Sequence, residues 1–375
     1  MTTTDTTREP TPAEAAVGAP TRVIAPFGRP AWKRILGTRE MAIVLLLVVV
    51  ALVAMASVRG FAQPITLTYL LMDVAPILLI ALPMTLVMIT GEIDLSVGSM
   101  VGLASVVTGV LVQAGVGFGV AATVALLVGV LGGAVNGILV TVVGLPSLAV
   151  TIGTMALFRG LAVGLLGTAA VTSFPPEWTA LAQAKISGTP LPYVMLPFVI
   201  LLAVFVVLLH FSTFGRGIYA IGLSSDAARF SGVRVEGTKF LLFIFAGVVA
   251  AFAGIFFTLR YGSARGDNAT GLELQVIAAV VLGGVSVFGG RGKIYGVIAA
   301  ALLIGTLSSA LRLANVTSDV INIITGVLLV LSVVLASVVD WLQLRRTRSV
   351  AAKAARADSL TTASTPTSQP NSATH

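Results

Sequence analysis

Two carboxylates stand two residues apart in the run Gly91-Glu92-Ile93-Asp94-Leu95-Ser96, between one apolar stretch and the next. Carboxylates so placed have two uses. They can accept hydrogen bonds from the free N–H groups that open a helix, for which Asp94 and Ser96 are the right residue types. Alternatively they gate a pathway or carry a charge along it, because an ionisable side chain in lipid is costly and is kept for function. Both readings stand for Glu92, Asp94 and Ser96. Arg159 poses a similar choice about 20 Å along a later apolar stretch, at about 1.5 Å per residue: it snorkels to the outer headgroups or faces the pathway. Asn136 is surrounded by Gly129, Gly133 and Gly137, a spacing that lets another backbone approach while the amide bonds across. Helix packing therefore competes with a pathway role for Asn136. Asp73 reads as an outer-surface charge.

Catalysis has little material to work with. The two histidines, His210 and His375, and the complete lack of cysteine exclude a His-based triad, a thiol nucleophile and a metal cluster. No catalytic residue, metal or cofactor is expected. A phosphate-cradling loop needs G-x-x-x-x-G-K-[ST]. The nearest candidate, at Gly292-Lys293, has Val287 in place of the first glycine and Ile294 in place of the hydroxyl.

The elements that must position these residues follow from composition. Of 375 residues, 57% are apolar and 10% charged, against about a quarter charged in a soluble domain. At about 20 residues per span there is material for roughly ten transmembrane helices. Ten apolar runs fall at about 41–58, 70–90, 97–113, 118–143, 146–167, 193–211, 240–257, 274–290, 294–311 and 320–339. Most are apolar on every face, which in a helix means burial in lipid or among other helices. A β-barrel would alternate instead. The predicted organisation is a Thr/Pro/Ala-rich disordered tail over 1–31, a ten-helix membrane domain over 32–342, and a disordered basic tail over 343–375.

The net charge of +8 follows the topology and leaves nucleic acid without support as a partner. Lys and Arg accumulate on the cytoplasmic side of short loops. With both termini cytoplasmic and ten spans, 17 of the 23 basic residues fall inside, including Arg216, Arg229, Arg234 and Lys239 of the 212–239 loop. The chain is expected to be a multi-pass protein of the inner, or plasma, membrane.

The joint at 91–96 has a counterpart. Thr270-Gly271-Leu272-Glu273-Leu274 again sets glycine beside an acidic residue, and each joint leads into a short run broken by glycines. The joints are five spans apart and so lie at opposite faces. Short, glycine-interrupted segments at matching places point to a transport pathway between inverted halves, here two of five helices each.

Within the 212–239 loop, Ser224-Ser225-Asp226-Ala227-Ala228-Arg229-Phe230-Ser231-Gly232 reads as a short helix with Ser at its start, Asp in its first turn and Gly at its stop. It is either a surface loop or the piece that docks into a motor subunit.

Taken in order, Gly91 to Ser99, Asn136-Gly137, Leu145-Pro146-Ser147, Thr151 to Thr154, Phe158-Arg159-Gly160 and the glycine pairs between Ala278 and Gly292 resemble the permeases of ribose-type, simple-sugar ABC importers, over about 33–342. Glu92 departs from the pattern, since many members carry glycine there. Asp226-Ala227-Ala228 with Gly232 is similar to the Glu-Ala-Ala, three residues, Gly pattern of importer coupling loops, with Asp in place of Glu. The resemblance implies a permease homodimer in the bilayer, a cytoplasmic ABC ATPase subunit that hydrolyses ATP, and an extracytoplasmic sugar-binding protein. It further implies import of a monosaccharide or related small polar solute by a chain that is not itself an enzyme, with ATPase coupling through Asp226, Ala227, Ala228, Arg229 and Gly232. The expected pathway wall is largely apolar, selectivity being left to the binding protein. The competing expectation is a proton-coupled secondary transporter using Glu92 or Asp94.

Overall fold

An apolar run in a bilayer has to satisfy its own N–H and C=O groups, and a helix does so within one segment. In a computed structural model of the chain, residues 39–317 and part of 319–334 are described. The helices are α1 (Arg39–Ser57), α2 (Pro64–Ile89), α3 (Val97–Gln113), α4 (Phe118–Thr141), α5 (Ser147–Leu166), α6 (Pro176–Gln183), α7 (Met195–His210), α8 (Thr213–Leu223), α9 (Ser225–Phe230), α10 (Val235–Tyr261), α11 (Leu272–Leu282) and α12 (Ile294–Leu313). Among the described residues the extended backbone pairs only as two isolated bridges, Val171 with Ala264 and Lys185 with Pro192.

Among the described residues six helices, α1, α2, α4, α5, α10 and α12, are long and apolar enough to cross a membrane. The pair α7 and α8, bent by 66° between them, makes a seventh if it is one span. The runs expected at 97–113 and 274–290 are shorter helices, of 17 and 11 residues, because Gly283 ends α11 and a glycine-rich turn takes over. The span expected from residue 70 starts at Pro64, where proline suits the first helical turn. Half of the run at 320–339, and both tails entirely, lie outside the described residues; the described residues of that run are helical.

The bundle is organised around α2. In its most apolar window 89% of residues are buried, against 11% for α1, so α2 is the central post and α1 an outer helix whose Leu45 and Leu52 face outward. Small residues set the closest crossings. A Cβ on Gly129 would press on the Gly247 carbonyl, one on Gly133 on that of Phe243, and one on Gly137 on the Phe240 ring, so α4 and α10 run antiparallel in near backbone contact. Along the other side of α10, Gly254 meets Val101 of α3, and the Thr258 hydroxyl bonds Ser105 Oγ at 2.6 Å.

Candidate translocation and coupling sites

Both joints turn on glycines that hold a left-handed backbone, Gly91 and Gly271, each at φ +82°; any other residue there would cost about 1–2 kcal/mol. After Gly91 the chain folds back into the bundle. Asp94 is buried, with Oδ1 accepting from the Ser96 N–H at 2.9 Å and from the Ser96 hydroxyl at 2.6 Å. Asn136 reaches across from α4 and donates Nδ2 to Ser96 Oγ at 2.8 Å. Helix α5 grips the same turn from its first residues: Ser147 Oγ accepts from the Ile93 N–H, and Thr151 donates to the Ile93 carbonyl, both at 3.2 Å.

Asp94, Ser96 and Asn136 are therefore brought together, but not as a helix cap. Ser96 occupies the N-cap position of α3 without a side-chain bond to the first turn, and Asp94 stabilises the turn rather than the free N–H groups of α3. Glu92 faces the other way and pairs with Lys239 of α10 at 2.6 Å, both side chains 16% exposed.

The second joint meets the first. The segment from Ala264 to Glu273 lies along the glycine face of α3. A Cβ on Gly109 would press on Ala264, one on Gly102 would stand 2.9 Å from the Asn268 carbonyl oxygen, and one on Gly98 would overlap the Glu273 carboxylate and stand 3.1 Å from its backbone nitrogen. The first turns of the two short helices α3 and α11 thus touch. Arg159 bridges this contact from α5, donating Nη1 to the carbonyls of Gly266 at 2.9 Å and Asn268 at 2.7 Å. It does not snorkel along α5; it ties down the returning chain. Glu273 Oε2 is buried against Gly98 without a hydrogen-bond partner.

The segment 212–239, expected as a loop, is mostly helical: it holds α8, the first residues of α10 and, between them, the short helix α9. The Ser224 hydroxyl accepts from the Ala227 N–H at 3.3 Å, Asp226 lies in the first turn, and Gly232, at φ +84°, carries the chain out. Ala228 is buried with Ile221 and Val235, while Phe230 is 93% exposed. Arg229 pairs with Asp226 at 3.6 Å and with Glu236.

Both flanks of α9 reach the first joint. On one side, a Cβ on Gly222 of α8 would overlap the Ile89 carbonyl and the Gly290 backbone, Gly290 N–H donates to Ile89 O at 2.8 Å, and the Tyr219 hydroxyl donates to the Gly292 carbonyl at 2.7 Å. On the other, Lys239 of α10 holds Glu92.

Residues 66–333 match the family described as "Branched-chain amino acid transport system / permease component". The chain belongs to this permease family. It is 37% identical over 281 residues to the "Autoinducer 2 import system permease protein LsrD" of Yersinia enterocolitica, which covers 72% of this chain and 84% of that protein. It is 36% identical over 287 residues to the proteins of the same name from Yersinia pseudotuberculosis and Yersinia pestis, covering 73% of this chain and 86% of each. No solved structure matches. The resemblance to simple-sugar ABC importer permeases holds at the level of the family, and the chain is a multi-pass inner-membrane permease subunit.

Sequence reasoning missed two features of this permease. Asp73, expected as a surface charge, is 31% exposed and lies 3.3 Å from both Arg260 and Arg312. Lys239 was counted only for its side of the membrane and holds Glu92. The partners in these pairs are 147 to 239 residues apart, so spacing along the chain carries no trace of them.

Proposed function

We propose that this permease is the membrane subunit of an ATP-driven importer for a monosaccharide or related small polar solute, with ATP hydrolysed in a separate cytoplasmic subunit. The reading includes a homodimer of ten-span subunits built from two inverted five-helix halves, both termini cytoplasmic, and an extracytoplasmic binding protein that delivers the solute. The observation that supports it best is mechanical. The helix α9 stands out from the bundle, and the elements on either side of it, α8 and α10, both grip the end of α2 and the joint that follows.

A partner that pushes α9 would therefore move Gly222 against Ile89 and Lys239 against Glu92 together. That displacement reaches Asp94, Ser96 and Asn136 within the joint, then the touching first turns of α3 and α11, where Arg159 anchors the returning chain. Asp226, Ala227, Ala228, Arg229 and Gly232 form the receiving element, and Glu92, Asp94, Ser96, Asn136 and Arg159 the part that switches the pathway. Of the two carboxylates in the competing proton-coupled reading, Glu92 is paired with Lys239 and only Asp94, buried with no cation beside it among the described residues, is left to carry a proton.

Reconstitution into vesicles with the companion ATPase and binding protein tests the reading, with autoinducer 2, named for the Yersinia relatives, assayed alongside monosaccharides. Uptake is expected only with ATP and the ATPase present, and is expected to survive a protonophore. Accumulation by the permease alone, or collapse on adding protonophore at constant ATP, would overturn it.

A further inference from the structure

At the end of the bundle where α10 and α12 finish, a cavity of about 470 Å³ opens between α2, α10, α11 and α12. Its wall is more polar than the apolar pathway expected from sequence. Asp73 lies about 13 Å along α2 from its first residue, at about 1.5 Å per residue, with one carboxylate oxygen 3.3 Å from Arg260 and the other 3.3 Å from Arg312. Gln275, Ser308 and Ser309 line the same space.

Ionisable groups below the end of a span are costly, and they mark water-filled cavities and solute routes. Here they are also incompletely used. Two guanidinium groups and the Tyr261 hydroxyl share one carboxylate, Arg260 lies over the Tyr69 and Tyr261 rings, and yet the buried Arg260 Nε has no hydrogen-bond partner. Arg312, 63% exposed, contributes N–H donors at the mouth. Arginine donors beside a carboxylate acceptor, with hydroxyl and amide groups opposite, match a solute whose neighbouring hydroxyls both donate and accept. The volume lies within the range of small-molecule sites.

We infer that the Asp73–Arg260–Arg312 cavity is a low-affinity binding site for a small polyhydroxylated solute, in which Asp73 accepts from its hydroxyls and Arg260 and Arg312 donate to them. The inference rests on the importer reading and adds to it a solute-contacting site on the permease itself. An ion-pair cluster serving stability alone would have the same distances but no response to solute.

The chain lacks cysteine, so a single introduced thiol reports on the cavity. Ser309→Cys, in the full permease assembled with its ATPase and binding protein, is labelled with a charged thiol reagent with and without ribose, xylose, galactose or glucose at high millimolar concentration. At least one sugar is expected to slow labelling several-fold, while Ala180→Cys on α6, outside the cavity, is unaffected. Arg312→Gln in the Ser309→Cys background is expected to raise the sugar concentration needed for half protection roughly tenfold, as for loss of a charged hydrogen bond. Because Asp73→Asn risks misfolding, the exposed Arg312 carries the decision.

Labelling unaffected by every sugar, or protection equal with and without Arg312, would overturn the inference. ATP-dependent sugar uptake by the wild-type assembly, alongside unprotected Ser309→Cys, would remove the site and leave the importer reading standing. No ATP-driven uptake of any of the four sugars would remove the monosaccharide reading and the site together.

Discussion

The joint after α2 and the joint after α10 solve one problem with different chemistry. Each must bring the chain back into a bundle without leaving backbone groups unsatisfied, and each uses left-handed glycine to turn. The first joint is closed on itself: Asp94 holds Ser96, Ser96 receives Asn136, and α5 clamps Ile93. The second has internal bonds too, from Asn268 to the Ser263 carbonyl and from Thr270 to the Asp267 carbonyl, but it adds ties to its neighbours through Arg159 and through Asn268 on Ser105, and it ends on a carboxylate with one unpartnered oxygen. This second joint is a strap laid across the glycine face of α3. On the proposed coupling path, force on α9 meets the first joint before the second.

The contrast breaks first at Gly98. Gly98→Val must push aside the Glu273 carboxylate, the end of a flexible side chain, and it also sets a branched side chain whose Cβ stands 3.1 Å from the Glu273 backbone nitrogen, which cannot swing away. A loss of about 3 kcal/mol or more is expected, seen as absence of a monodisperse species in detergent. Gly91→Ala meets only the Phe288 carbonyl oxygen, at 3.8 Å, so it pays the left-handed strain alone, about 1–2 kcal/mol. If the two variants unfold at the same temperature, contact between α3 and α11 is not what fixes the second joint.

Next in size is a pair of carboxylate changes. Asp94→Ala strands the buried N–H and hydroxyl of Ser96, at about 1–3 kcal/mol for each group left unpaired. Glu273→Gln removes a charge whose buried oxygen has no hydrogen-bond partner, so relief of its desolvation opposes the lost attraction to Arg159, and a net change of about 1 kcal/mol or less is expected. Thermal unfolding of the two variants side by side gives the comparison. The reverse ranking would mean that Glu273, not Asp94, is the structural acid.

What could be read from sequence divides along the same line. The two joints, the short helices after them, the glycine face of α4 and the Ser224-to-Gly232 helix were all legible, because each is local and depends on glycine, a helix stop or a capping hydroxyl. The helix ends were close: α4, expected to end at 143, ends at Thr141, and α5 at Leu166 rather than 167. The start of α2 was missed because Thr66, Thr68 and Tyr69 lower the apolar signal while packing and Pro64 make the helix. The partners of Glu92, Arg159 and Asp73 were illegible for another reason. A polar contact between residues more than 100 apart depends on which helices pack together, and apolar periodicity on all-round hydrophobic helices does not encode that.

The pair Lys239–Glu92 sharpens the comparison from the side of the force. Lys239→Met leaves a carboxylate that is only 16% exposed without its cation, whereas Lys239→Met with Glu92→Gln removes both charges. Breaking one side of a buried pair costs more than replacing both, so the double variant should recover about 1–2 kcal/mol relative to the sum of the single effects. Recovered stability without recovered uptake would show that the pair transmits motion as well as holding the joint. Recovery of both would reduce it to a structural pair.

The smallest expected effect is at Gly232. No atom lies within 4 Å of a Cβ built there, so Gly232→Ala acts only through its left-handed φ of +84°, a strain of about 1–2 kcal/mol. The chain can relieve that strain by re-angling α9, whose six residues are anchored mainly through Ala228 against Ile221 and Val235. The bundle should therefore keep its unfolding temperature while co-purification of the ATPase partner falls by a fewfold factor. Gly232→Asn separates strain from side-chain bulk, because asparagine tolerates the left-handed region far better than alanine and is the larger of the two. Partner binding near wild type in Gly232→Asn and weakened in Gly232→Ala would tie coupling to the angle of α9. Equal weakening in both would place the partner's contact on Gly232 itself, and no weakening in either would remove α9 from the coupling path.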